Sequence, residues 1–272
     1  MGDKVIIITG VSSGIGKAFV SKALNNISKG TVVVGIGRKN LANFKHHQYL
    51  FIRADLTKPD SLERAFEQIM KTFGRIDILI NNAGFAYRST IQDLEIREIK
   101  EQFEVSLFGP IHLIQLVLPT MQQQNSGHII NVSTVGSIVS TPTLGYYAAA
   151  KAGMDKLSDI LEQEVNPFNI KVSTLIPGAV KTDFGKNIRL SINYPSSKYL
   201  LLYEEWQKRF KYFFKNKNSA EEVADCLWYL TINPSRSKFV NIRDQVMSLL
   251  KKTLPHFIFQ YLFLNYFYKY ES

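Results

Sequence analysis

The first sixteen residues constrain the fold more than any other stretch. An unbroken apolar run, Val5-Ile-Ile-Ile8, leads into Thr9-Gly-Val-Ser-Ser-Gly-Ile-Gly16, and an amphipathic pattern then continues to about Asn25. A short run apolar on all sides reads as a buried parallel strand, here residues 4–8, and the periodic stretch after it reads as a helix. Glycines joining such a strand to such a helix let the backbone turn tightly. They also let it approach a ligand closely, while the N–H groups at the helix start attract an anion. The chain therefore begins as a strand, a phosphate-binding turn and a helix, and the 272 residues with 45% hydrophobic content are enough for one substantial core around that unit.

Further strands fall at 31–36, 49–53, 76–80, 128–132, 170–175 and 238–242. Helices are expected at 59–73, about 97–123 and about 220–231. Alternation of this kind predicts a parallel sheet covered on both faces. Tyr147 and Lys151 lie four residues apart in Tyr147-Ala-Ala-Ala-Lys151, a spacing that stacks them on one helical face. An ammonium beside a phenol favours the phenolate and lowers the tyrosine pKa, giving a positioned acid or base. The three small residues between them let flat molecules lie against the phenol.

The glycine turn, Asn81-Asn-Ala-Gly84 and Tyr147-x-x-x-Lys151, in this order and spacing, resemble the short-chain dehydrogenase/reductase family, classical type, over about Lys4 to Phe184. The resemblance implies a Rossmann-type, doubly wound, mainly parallel seven-stranded sheet in three α/β/α layers. It implies hydride transfer between a nicotinamide and a hydroxyl or carbonyl group, with Tyr147 as acid/base and Lys151 gripping the nicotinamide ribose. The family's serine lies thirteen residues before the tyrosine, which lands on Thr134; its helical asparagine is replaced by Ser106 in Val105-Ser-Leu-Phe-Gly109. Neighbouring Ser133 is expected to be structural, since adjacent strand residues point to opposite faces.

Carried over position by position, the cofactor-binding residues are Gly10, Ser12, Ser13, Gly14, Ile15, Gly16, Arg38, Asp55, Leu56, Asn82, Ala83, Gly84, Tyr147, Lys151, Pro177, Gly178, Val180 and Thr182. Asn81 is expected to stiffen the sheet. The second strand ends in Gly37-Arg38-Lys39 with no carboxylate for a free ribose diol, and a guanidinium can pair bidentately with a 2′-phosphate. NADP is therefore expected ahead of NAD, and no metal.

One dinucleotide-binding oxidoreductase domain is expected over 1–272, with a substrate lid at about 184–218 and an apolar extension at about 245–270. The lid mixes lysines and arginines with Tyr194, Tyr199, Tyr203, Trp206, Phe210, Tyr212, Phe213 and Phe214, pointing to an apolar alcohol, ketone or aldehyde of lipid-, retinoid- or steroid-like character. Bases interleaved with aromatics also suit nucleic acid, but a helical reading of 200–206 argues against that partner. From Thr253 to Tyr268 there is no Asp, Glu, Lys or Arg, and the stretch is short for a span of ~20 residues. It can fold over the cleft, cover a partner subunit in a homo-oligomer, or touch a membrane surface.

One cysteine, Cys226, and a start without a secretory pattern favour the cytoplasm, with membrane association left open. Met1-Gly2 is not an acylation start, because Ile6 stands where that motif needs Ser or Thr. The rival function is an NADP-binding sensor or scaffold with little turnover, which Ser106 and Thr134 would suit.

Overall fold

A computed structural model describes residues 4–40, 44–139, 141–185, 188–194, 197–213, 217–255, 257–259 and 261, with backbone alone for 207 and 209–213. Seven strands form one sheet: β1 Val5–Thr9, β2 Val32–Gly37, β3 Tyr49–Arg53, β4 Ile78–Asn81, β5 Gly127–Val132, β6 Ile170–Ile176 and β7 Ser237–Phe239. Every pairing is parallel and the order across the sheet is β7-β6-β5-β4-β1-β2-β3. This is the Rossmann-type sheet. The chain winds outward from β1 to β3, then returns to the other side of β1 at β4, so a crevice opens at the carboxyl ends of β1 and β4.

Side-chain alternation along β1 builds both cores. Val5 and Ile7 face Leu113, Val117 and Met121 of α4 (Gly109–Gln123) and Leu62 and Ile69 of α2 (Pro59–Phe73). Ile6 and Ile8 face Phe19 and Val20 of α1 (Gly14–Leu24) and Val223 and Leu227 of α7 (Ala220–Ile232). A period of two in the strand and about 3.6 in the helices is all this layering requires.

Two boundaries differ from the sequence reading. The helix expected over 97–123 is α3 (Ile96–Phe103), a π-helical turn at Glu104–Phe108, and α4. By length and composition 96–123 is the one helix among the described residues able to cross a membrane, but here Leu113, Ile114, Val117 and Met121 are buried in the core. The strand expected at 238–242 stops at Phe239. Asn241 caps α8 (Ile242–Thr253) by accepting from the Asp244 N–H at 2.8 Å, and this cap outweighs the β-propensity of Val240 and Ile242.

The lid segment is fastened rather than loose wherever it is described. Residues 189–190 pair with 87–88, and α6 (Leu200–Phe213) buries Tyr203 and Trp206. The Tyr203 hydroxyl accepts from Thr90 N at 2.8 Å, and Asp93 receives the Ser197 hydroxyl at 2.6 Å. Of the expected pocket aromatics, the side chains of Phe210, Tyr212 and Phe213, and the whole of Phe214, lie outside the described residues. So do residues 256, 260 and 262–272 of the tail.

Across the middle of the sheet, Asn81 donates to Asn131 at 2.9 Å and Asn131 donates to Ser158 at 2.8 Å, all buried. Replacing Asn131 with Ala leaves an amide and a hydroxyl without their partner. Asn131→Ala is expected to lower unfolding stability by about 1–3 kcal/mol, read as a lower urea midpoint at unchanged slope.

Candidate active site

The glycine turn is held by contacts that tolerate no side chain. Gly10 has φ +76° and a Cβ there would fall 2.7 Å from Ala83 Cα; a Cβ on Gly16 would strike the Gly10 carbonyl. Thr9 Oγ1 accepts from the N–H of both Asn82 and Ala83 at 3.0 Å, and the Asn82 amide donates to the Thr9 and Gly10 carbonyls. The ends of β1 and β4 are thereby joined. Ser13 caps α1 with extended backbone but no side-chain hydrogen bond, so the first N–H groups beside Ser12 to Ile15 are supplied with no protein acceptor from the cap. These groups and the lack of side-chain bulk fit a pyrophosphate.

The other cofactor candidates divide in two. Arg38 is exposed just beyond the end of β2, the strand paired with β1. Asp55 already accepts from the Thr57 N–H and hydroxyl at 3.0 and 2.9 Å, and Leu56 is buried, its carbonyl against Gly109. After β6, the Pro177–Val180 turn leads into a short strand at 180–181 paired with 218–219. Gly178 has no room for a side chain because Asp244 lies against it, and Thr182 sits close to Gly14, 3.2 Å from where its Cβ would be. The segment after β6 therefore meets the glycine turn across the crevice.

At the end of β5, Ser133 N and Val135 N continue the ladder to Leu175 and Pro177 carbonyls, which fixes Thr134 at the mouth. Its hydroxyl accepts from Gly136 N at 3.2 Å and lies near enough to Tyr147 to act on the phenol's pKa. Tyr147 stands in the first turn of α5 (Gly145–Val165) with its ring centroid 5.7 Å from that of Phe184. One turn on, Lys151 is buried and donates to the Val132 carbonyl at 2.7 Å. Gly84 leaves the space in front of it open: a Cβ there would come 4.0 Å from Lys151 Nζ. Ser106 is not brought to Lys151. It lies in the π-helical turn and accepts from Gln102 at 2.9 Å.

The model of the short chain dehydrogenase family matches residues 4–193. The chain belongs to that family. Among its relatives, "Oxidoreductase BOA17" of Botryotinia fuckeliana is 37% identical over 187 residues, covering 66% of this chain and 67% of that protein. The "3-ketodihydrosphingosine reductase" of Bacteroides thetaiotaomicron is 36% identical over 191 residues, 70% and 69% of the two chains. A short-chain dehydrogenase structure from Streptomyces avermitilis superposes with a TM-score of 0.80 at 26% identity, over 91% of this chain and 92% of that one. This dehydrogenase is thus an oxidoreductase of CH–OH and C=O groups.

The electrostatics of the dehydrogenase's site depart from the sequence expectation. Burial, aided by the Asp155 carboxylate, raises the Tyr147 pKa above its ordinary value, against the opposing influence of the nearby Thr134 hydroxyl. The lowering expected from Lys151 is absent here, because the ammonium is turned toward Val132 and is itself depressed to about 8 by burial, with Asp155 opposing. Asp155 is the residue the sequence reading passed over. It continues the Tyr147–Lys151 face by another four residues, a signal that was available. Burial raises its pKa, opposed by the neighbouring Ser133 and Ser137 hydroxyls and by the Lys151 charge. The Ser133 hydroxyl itself donates to Ser137 at 3.3 Å.

The buried lysine makes stability depend on pH in a definite sense. Its folded pKa of about 8 lies below the ordinary 10.5, so between those values the unfolded chain binds more protons and stability rises with pH. Tyr147, with a raised pKa, opposes this only above its ordinary 10.0. Lys151→Met is therefore expected to gain stability relative to wild type at pH 7.5 and to lose more than half of that advantage by pH 9.5, measured by urea unfolding at each pH. A difference constant with pH would show that the ammonium carries no burial penalty.

Proposed function

We propose that the chain is an NADP-dependent reductase of apolar ketones or aldehydes, working in the cytoplasm. The observation that carries this reading is the Tyr147 phenol beside Thr134 at the crevice mouth, one helical turn from the buried Lys151. Bound with its pyrophosphate at the glycine turn, a nicotinamide dinucleotide would supply the hydride. The chain's own residues would do the rest. Thr134 would steady the substrate oxygen, and Tyr147, protonated at neutral pH already at its ordinary pKa, would hand its proton to that oxygen as negative charge develops. A phenol held in its acid form favours the carbonyl-to-alcohol direction.

Lys151 would hold the ribose hydroxyls in the space left by Gly84 and supply positive charge near the phenol once the phenolate forms. Pro177, Gly178, Val180 and Thr182 would hold the carboxamide side of the ring. Gly10, Ser12, Ser13, Gly14, Ile15 and Gly16 would hold the phosphates. Asn82, Ala83, Asp55 and Leu56 would border the adenosine.

The NADP preference rests on exposed Arg38 at the end of β2, where no carboxylate competes for a 2′-phosphate. The apolar substrate rests on Phe184 beside Tyr147 and on the Bacteroides relative, whose name declares a sphingosine-type ketone.

Tyr147→Phe is expected to keep fold and cofactor affinity and to lower the rate of NADPH oxidation with long-chain ketones by about 10²–10⁴-fold. Unchanged turnover would overturn the mechanism. Arg38→Asp is expected to weaken NADPH binding relative to NADH by about tenfold or more, roughly 1.4 kcal/mol, by fluorescence titration of the two cofactors. Equal affinities before and after the change would remove Arg38 from the site.

A further inference from the structure

We infer that α8 and the turn after it form a docking face for an anionic membrane surface. The helix is inside out for a soluble fold. It buries Asp244 and Ser248, at 1% and 3% exposure, and turns Ile242, Val246, Leu249 and Leu250 to solvent at 77%, 48%, 60% and 43%. At about 100° per residue these four fall within one arc of roughly 100°, with Asp244 and Ser248 opposite.

The arc is flanked on its two sides by exposed Arg243 and Lys252, an apolar stripe between cations, which is the pattern of a helix lying in a headgroup region. Beyond it the turn at 257–259 buries Phe259 beneath the Lys251 ammonium, 5.1 Å from the ring, while Phe257 and Tyr261 stand 72% and 68% exposed. Aromatic rings of this kind favour the membrane–water boundary.

Charge selects the occupant. Residues 245–270 contain Lys251, Lys252 and Lys269 and no Asp or Glu, in a chain of net charge +10. A second copy meeting this face about a two-fold axis would set these cations against themselves. A surface both apolar and negative satisfies the stripe and its flanks together. The Asp244 side of the helix lies against Gly178, so docking would bring the cofactor turn close to the bilayer. The inference does not depend on the substrate proposed above.

The test is flotation of the full-length chain with vesicles of phosphatidylcholine alone and of phosphatidylcholine with phosphatidylglycerol. Wild type is expected to float with the anionic vesicles and to be released by salt. Val246→Glu/Leu249→Glu is expected to reduce the floated fraction about tenfold at an unchanged melting temperature, since both positions are exposed. If that pair unfolds, Val246→Ser/Leu249→Ser replaces it, and Lys252→Glu should weaken binding to anionic vesicles alone. Absence of wild-type flotation, or equal flotation of wild type and the folded double variant, overturns the proposal. So does a soluble dimer that Leu249→Glu dissociates without any vesicle binding.

Discussion

The crevice depends on one hydroxyl. Thr9 Oγ1 receives two N–H groups from the start of the segment after β4, so two strands that diverge at the switch point of the sheet are joined at their carboxyl ends. Gly10 can then lie on Ala83 and Gly16 on the Gly10 carbonyl, distances that exclude any Cβ. The glycines are needed because this joint is tight, and the joint leaves the helix N–H groups facing the crevice. A methyl at either position would reopen the joint and misplace the groups that fit a pyrophosphate.

A second polar system is built on α5. Tyr147, Lys151 and Asp155 occupy successive turns of one face, and the strand end beneath them contributes the Val132 carbonyl, Ser133 and Thr134. Lys151 is neither in water nor paired directly with a carboxylate, and burial therefore brings its pKa down to about 8. Asp155 works the other way, supporting the ammonium while opposing ionisation of the phenol. The tyrosine is consequently an acid in the absence of other ligands. Any group that draws Lys151 from the Val132 carbonyl toward the phenol would shift that balance.

Spacing made the strands, the glycine turn and the Tyr147–Lys151 face legible, because strand and helix periods decide which side chains share a face. The winding of the sheet and the place of Thr134 came from the resemblance to the family. Three things were not legible. The environment of Asp155 is set by Ser133 and Ser137 on another element, and sequence does not show which elements come together. The strand expected through Ile242 was a contest between the β-propensity of Val240 and Ile242 and the cap Asn241-x-x-Asp244; the cap prevails because its bond is local and forms with the first helical turn. The Ser106 hydroxyl went to Gln102 for a related reason, since four residues along a helix is the nearest reach a short side chain has.

Burying Asp244 has a consequence for the cofactor turn. Its carboxylate receives the Asn241 amide at 2.7 Å, Asn241 also donates to Asn218 at 3.1 Å, and residues 218–219 pair with Val180–Lys181. Gly178 lies directly against the same carboxylate. The Pro177–Val180 turn, the strand pair and the first turn of α8 are thus one block of polar contacts. Turning Asp244 outward would break its bond to Asn241, while burying it without that bond would leave a desolvated carboxylate, so the block sets which face of α8 is inward. The apolar outer side of that helix is separated from Gly178 by this single polar layer.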